Sequence, residues 1–165
     1  MDKVNQIVIN EMPDELVTCG FTTFNSENTI ERALNSALEQ DYKNIELLIV
    51  DDNSSDSTIE RIDYCLKKNK IKYRLIKHHA NLGVAQARNT LLKYSKGKFL
   101  AFFDSDDYSL ENRISDQLNH ILLYEKNKLN KRKKYFFSPL CYSDREIIFN
   151  KNKKIYCKAM YISEN

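Results

Sequence analysis

From Leu16 onward, the chain alternates short apolar runs with longer stretches of helical periodicity. Leu16 to Thr22 is an apolar run closing in polar residues, the pattern of a buried strand. Ile30, Ala33, Leu34, Ala37 and Leu38 then recur at i, i+3, i+4, i+7 and i+8, one face of an amphipathic helix, with Ser26 or Asn28 placed to cap it. Ile45 to Val50 predicts a second strand, and Ile59, Ile62 and Leu66 a second helix. Tyr73 to Ile76 predicts a third strand, followed after Gly83 by a helix carrying Val84, Ala87, Leu91 and Leu92. Phe99 to Phe103 reads as a fourth strand, too continuously apolar for a half-exposed position, and Ile114, Leu118, Ile121 and Leu122 mark a fourth helix.

Strands alternating with helices, and apolar on both faces, predict βαβ units around a mostly parallel sheet flanked by helices, an α/β fold of Rossmann-like type. After about residue 130 the rhythm changes. Tyr135 to Leu140, Glu146 to Phe149 and Ile155 to Tyr161 read as consecutive strands, a β-rich C-terminal segment. The expected organisation is a lead-in over 1–15, a core over 16–125, and a basic loop with the start of a further region over 126–165.

Composition narrows the class. A 42% apolar and 30% charged chain of 165 residues is an ordinary globular one, long enough for one real core. The net charge of +3 gives no ground for a nucleic-acid partner, which needs a concentrated basic stripe. No apolar run approaches the roughly 18 residues that span a bilayer, and residues 1–5 lack the layout of a secretory signal. Cys19, Cys65, Cys141 and Cys157 show no CxxC spacing and are read as reduced and buried. The chain thus reads as cytoplasmic. The basic run Lys126, Lys128, Lys131, Arg132, Lys133 and Lys134 is either a solvated loop or a contact with anionic lipid headgroups, which would hold the protein peripherally at the cytoplasmic face of the membrane.

The chemistry is expected where strands end, because ligands of open parallel sheets bind outside the strands' carboxyl ends. The first strand ends in Thr22, Thr23, Phe24 and Asn25, the second in Asp51 and Asp52, the fourth in Asp104, Asp106 and Asp107. Five carboxylates converging on one sheet edge would repel by about 1–4 kcal/mol per close pair, and a divalent cation relieves that repulsion. Oxygen ligands without Cys or His beside them favour Mg²⁺ or Mn²⁺. Asp and Ser also serve as turn and cap residues, which is the plainer account of either cluster taken alone. His78-His79 follows a strand with no partner at metal-ligand spacing and is read as structural.

The same residues carry a resemblance. VTCGFTTFN (17–25), ERALNSAL (31–38), IVDDNSSD (49–56), NLGVAQARN (81–89) and FDSDD (103–107) together resemble, in order and spacing, the family 2 glycosyltransferases of GT-A fold. The match covers about residues 16 to 125. It implies that Phe24 stacks on the donor's base where the family usually has Tyr, with Thr22 or Thr23 lining the same pocket. It implies further that Asp52, with Asp51 beside it, hydrogen-bonds the base, usually uracil, and that Gly83 and Arg88 lie near the nucleotide. Asp104 and Asp106 match the family's DxD pattern, with Asp106 toward ribose or metal and Asp107 a further metal ligand.

The function so implied is metal-dependent transfer of a sugar from a nucleotide diphosphate donor, usually UDP, to a saccharide or lipid-linked acceptor. Transfer would invert the anomeric carbon, in bacterial surface polysaccharide synthesis. Two departures stand out. Thr22 occupies the place where the family commonly has Pro, and no residue matches the later carboxylate that acts as base. The chain is therefore expected to bind donor while transferring sugar poorly by itself, its acceptor half truncated or supplied elsewhere. The rival reading is a non-catalytic nucleotide-sugar-binding or interaction module. A nucleotidyltransferase is disfavoured, because the first strand is not followed by a Gly-rich phosphate loop.

Overall fold

A computed structural model describes residues 14–129, 145–149 and 153–157, with side chains described through residue 122. The elements are β1 (Val17–Thr23), α1 (Ile30–Leu38), β2 (Ile45–Asp51), α2 (Thr58–Lys68), β3 (Tyr73–Lys77), α3 (Val84–Tyr94), β4 (Phe99–Asp104), α4 (Arg113–Leu129), β5 (Arg145–Phe149) and β6 (Lys153–Cys157). The first four strands form one parallel sheet in the order β3-β2-β1-β4, with Thr23 level with Asp51 and Thr22 level with Asp104. β5 and β6 form an antiparallel hairpin. The segment Tyr135 to Leu140 lies outside the described residues.

The chain forms two compact units. Residues Pro13–Ile114 hold the parallel sheet, α1 to α3 and the start of α4; the other unit takes in Ser115 onward, with the hairpin. No helix among the described residues is long and apolar enough to cross a membrane.

Connection order determines how the sheet is covered. The chain steps from β1 to β2 to β3 in one direction, then α3 carries it back past β1 to β4. Right-handed crossovers therefore place α3 on the face opposite α1 and α2. Leu48 and Val50 of β2 pack with Ala87 and Leu91 of α3, with Ile76 and Leu100 against them. Cys19, Phe21, Leu47 and Ile49, at alternate positions, are buried on the other face, where the Phe21 and Phe103 rings stack at 4.9 Å. α1 and α2 pack on one another and bury Ile30, Leu34, Ile62 and Leu66. Cys19 and Cys65 are both free and buried, and burial pushes the Cys19 thiol up to about 12, so it is chemically quiet at neutral pH.

β4 differs from its sequence expectation. Its apolar run predicts burial on both faces, yet Phe99, Leu100 and Ala101 are only half-buried and Phe102 is exposed. The reason is position: among the described residues β4 pairs with β1 alone.

Candidate functional site: a cleft at the strand carboxyl ends

The strand order reverses between β1 and β4, since the chain runs from β1 away to β3 before α3 returns it to β4, and a ligand crevice is expected at the carboxyl ends there. A cleft of about 290 Å³ lies there. Its walls are Thr22, Thr23 and Phe24 after β1, Asp52 after β2, Asn81, Gly83, Val84 and Ala87 at the start of α3, and Asp104, Ser105 and Asp106 after β4. Seven of the residues singled out from sequence are thus brought together: Thr22, Thr23, Phe24, Asp52, Gly83, Asp104 and Asp106. Asp51, Arg88 and Asp107 do not line the cleft.

The strand-end loops are cross-braced by short polar side chains. Asn25, at φ 47°, donates its N–H to Ser54 Oγ (2.9 Å) and accepts the Ser55 N–H (2.9 Å). The Ser26 N–H donates to Thr58 Oγ1 (2.7 Å), and the Ser26 and Ser105 hydroxyls bond at 2.7 Å, tying the β1 loop to the β4 loop. Asp51 is fully buried, and both its oxygens are engaged by Ser54, through its N–H and its hydroxyl. It shapes the loop that presents Asp52.

Asp52 is the buried acid of the cleft. Its Oδ1 accepts from the Leu82 N–H (2.9 Å) and faces His78 Nδ1 (2.7 Å), and its Oδ2 accepts from the Gly83 N–H (2.7 Å). Burial alone would raise its carboxyl. The hydrogen bonds from Leu82, His78 and Gly83 outweigh burial and hold it below the ordinary carboxylate value of 3.8. Gly83 makes this possible, since its φ of +86° turns the chain into α3 with its N–H aimed at Asp52, a conformation L side chains rarely adopt. His78, read from sequence as structural, is thus bonded directly to a cleft residue. The missed signal is the strand register: Asp51 pairs with Lys77, so the next residues, Asp52 and His78, emerge side by side.

Phe24 is 46% exposed, a large ring presented at the cleft instead of packed in the core. Thr23 Oγ1 is buried with no hydrogen-bond partner among the described residues, although Thr23 lines the cleft. A buried hydroxyl left unpartnered costs about 1–3 kcal/mol, a cost that a bound polar ligand would remove.

The β4 end carries the remaining acids. Asp104 is paired with Arg88 (3.1 Å), whose guanidinium also sits 5.7 Å over the Phe102 ring. Both partners are nearly half-exposed, so the pair adds little stability. Asp106 is exposed, with its carbonyl accepting from Arg32 at 2.6 Å; the Asp107 N–H donates to the Asp104 carbonyl at 3.2 Å. No group of three or more His, Cys, Asp or Glu among the described residues makes a self-sufficient metal cage. Mg²⁺ is ordinarily held by one or two carboxylates together with substrate phosphates. Asp104 and Asp106, two hard-oxygen donors on one cleft wall, fit that mode.

Comparison with known proteins agrees with this geometry. The family model for glycosyl transferase family 2 matches residues 19–152. A relative in Escherichia coli, the UDP-Glc:alpha-D-GlcNAc-diphosphoundecaprenol beta-1,3-glucosyltransferase WfgD, is 40% identical over 67% of this chain and 43% of its own length. The structure of Staphylococcus aureus TarS 1–349 in complex with UDP-GlcNAc superposes with a TM-score of 0.60 at 31% identity, over 67% of this chain and 32% of that one. The mannosyltransferase PcManGT from Pyrobaculum calidifontis, in complex with GDP-Man and Mn²⁺, gives 0.53 at 28% identity, over 56% of this chain and 28% of its own. This chain therefore spans less than half of these relatives. With a parallel GT-A sheet, a cleft at its strand ends and a family match over residues 19–152, the chain belongs to glycosyl transferase family 2.

Proposed function

We propose that the cleft binds a nucleoside diphosphate sugar, with UDP as the nucleotide, and presents it for transfer to a saccharide or lipid-linked acceptor in surface polysaccharide synthesis. The observation that carries this reading is the pairing, on one cleft, of an exposed aromatic ring, Phe24, with a buried carboxylate, Asp52. A base stacks on the ring's face, and its edge meets the acid. Asp52 already accepts two hydrogens on Oδ1 and one on Oδ2. With two acceptor positions per oxygen, one remains on Oδ2. One acceptor matches the single N3–H of uracil. The unpartnered Thr23 hydroxyl supplies a further polar contact.

Asp104 and Asp106 would hold a divalent cation, Mn²⁺ or Mg²⁺, against the diphosphate. When bound, the cation supplies charge neutralisation of the diphosphate as it leaves. The residues of the chain itself do the positioning. Arg88 braces the Asp104 carboxylate, Arg32 fixes the Asp106 backbone, and the Ser26–Ser105 bond holds the β1 and β4 loops at one spacing. Walls fixed in this way hold the sugar's anomeric carbon for attack by the acceptor hydroxyl. In a single displacement, the new bond to the acceptor oxygen forming as the bond to the diphosphate breaks, that carbon would be inverted.

Replacing the ring tests the base site. Phe24→Ala is expected to weaken UDP binding by about 1–3 kcal/mol, the scale of base stacking on aromatics, whereas Phe24→Tyr keeps the stacking face and the affinity. Calorimetric titration of the purified chain with UDP measures both. Parent-like affinity in Phe24→Ala would place the base elsewhere.

A further inference from the structure

Behind the cleft wall, a buried titratable side chain is bonded to Asp52. His78, only 9% exposed, sits at the end of β3. Its Nδ1 lies 2.7 Å from Asp52 Oδ1 and its Nε2 lies 2.9 Å from Thr90 Oγ1 on α3. The Thr90 hydroxyl also lies 3.0 Å from the Gln86 carbonyl, one turn back on the same helix, which holds it in place. Asp52, an ionised carboxylate, only accepts. The hydrogen between Asp52 and His78 is therefore carried by Nδ1, and the imidazole is a rigid strut from the α3 helix to the acid of the cleft.

From this geometry we propose that His78 is a positioning and specificity-determining residue: by filling Asp52 Oδ1, it leaves the carboxylate one free acceptor and so selects a base edge with one N–H donor. The proposal rests on the nucleotide-binding reading of the same cleft. With the strut in place, Oδ1 is saturated by His78 and Leu82, and Oδ2 keeps one position beside the Gly83 bond. Uracil offers a single N3–H between two carbonyls. Guanine offers N1–H and an exocyclic amino group side by side, which need two free acceptors on one carboxylate. Removing His78 releases a lone pair on Oδ1 and unpins the carboxylate, so guanine becomes a tolerated partner while uracil loses its fixed one.

The test compares UDP and GDP affinities, by calorimetry on the full 165-residue chain, for parent, His78→Ala, His78→Asn and His78→Gln. An Asn amide can donate from near the Nδ1 position toward Asp52. A Gln amide reaches the Nε2 position, toward Thr90. The expected results are a preference for UDP in the parent and a loss of about tenfold in the UDP:GDP ratio in His78→Ala, the scale of one hydrogen bond to a charged group. Recovery of the ratio is expected in His78→Asn but not in His78→Gln. If His78→Ala fails to fold, the contrast between the Asn and Gln variants carries the test. An equal fall of both affinities with an unchanged ratio, or recovery by Gln and not Asn, overturns the assignment while leaving the nucleotide site intact. A parent that binds neither nucleotide overturns the site reading itself.

Discussion

Asp52→Ala is expected to destabilise the protein by about 3 kcal/mol at neutral pH and to weaken UDP binding by about a hundredfold or more. Three donors converge on this carboxylate: the Leu82 and Gly83 amides and His78 Nδ1. Alanine leaves all three facing a void in a largely buried corner. Each orphaned donor costs about 1–3 kcal/mol when dry. Water entering from the open cleft will recover part of the sum, which sets the expectation at the lower end.

The nucleotide loses more than one contact, because the Asp52 bonds also fix the turn at Gly83 into α3. The pH dependence has a definite sign. The folded-state acidity of Asp52 is held below its ordinary value of 3.8, so its contribution is present above that value and is lost as pH falls through the folded one. The stability gap between parent and Asp52→Ala should be full at pH 7 and close progressively below about pH 4. Denaturant unfolding of both proteins across that range measures it, and a gap that widened in acid would refute the assignment.

Gly97→Ala is expected to cost about 2–3 kcal/mol, a fall of about 5–10 °C in Tm, although Gly97 lies at the opposite end of β4 from the cleft. A Cβ on Gly97 would lie 2.5 Å from the Thr18 nitrogen, 2.7 Å from the Leu16 carbonyl and 2.8 Å from the Phe99 carbonyl. All three are backbone atoms, and they are held in place. The Gly97 N–H donates to Thr18 Oγ1, which donates to Glu46, and Glu46 also takes the Lys96 N–H and the Arg74 guanidinium. The turn between α3 and β4 is thereby pressed onto the start of β1, and a methyl group must separate them.

Gly20→Ala is the internal comparison. The atoms nearest its Cβ would be side-chain tips of Leu100 and Leu91 at 2.9–3.2 Å, which can move aside, so a smaller loss is expected. Thermal unfolding of the two variants ranks them, and a Gly20 variant less stable than the Gly97 variant would contradict this reading.

Much of the fold was legible because parallel sheets write themselves as continuous apolar runs separated by periodic helices. β1 to β4 and α1 to α4 lie within a few residues of their predicted places. β4 was misjudged on exposure, since an apolar run reveals a strand but not how far its faces are covered; Phe99 to Ala101 are half-buried and Phe102 exposed. Within the site, Thr22, Thr23, Phe24, Asp52, Gly83, Asp104 and Asp106 were visible as strand-end and helix-start residues, and the cleft gathers them. Asp51 and Asp52 look alike in sequence but emerge on opposite sides of an extended chain, so one is spent on Ser54 and the other faces the cleft. Arg88, expected near the nucleotide, reaches the cleft wall from α3 by pairing with Asp104. His78 stayed hidden because its partner, Asp52, is 26 residues away and comes beside it only through the β2–β3 register.

The central claim is that this cleft holds a nucleoside diphosphate through both the base site and a cation at the β4 acids. Its most direct test is calorimetric titration of the chain with UDP, in Mn²⁺ and again in excess chelator, for the parent and for Asp106→Asn. UDP is expected to bind in Mn²⁺ and to bind at least about tenfold more weakly in chelator, since a divalent cation held by the β4 acids would offset the charge of the diphosphate. The Asp106→Asn protein is expected to show an affinity in Mn²⁺ that approaches the chelator value. Equal UDP affinity with and without the metal, or no UDP binding in Mn²⁺ at all, would contradict it.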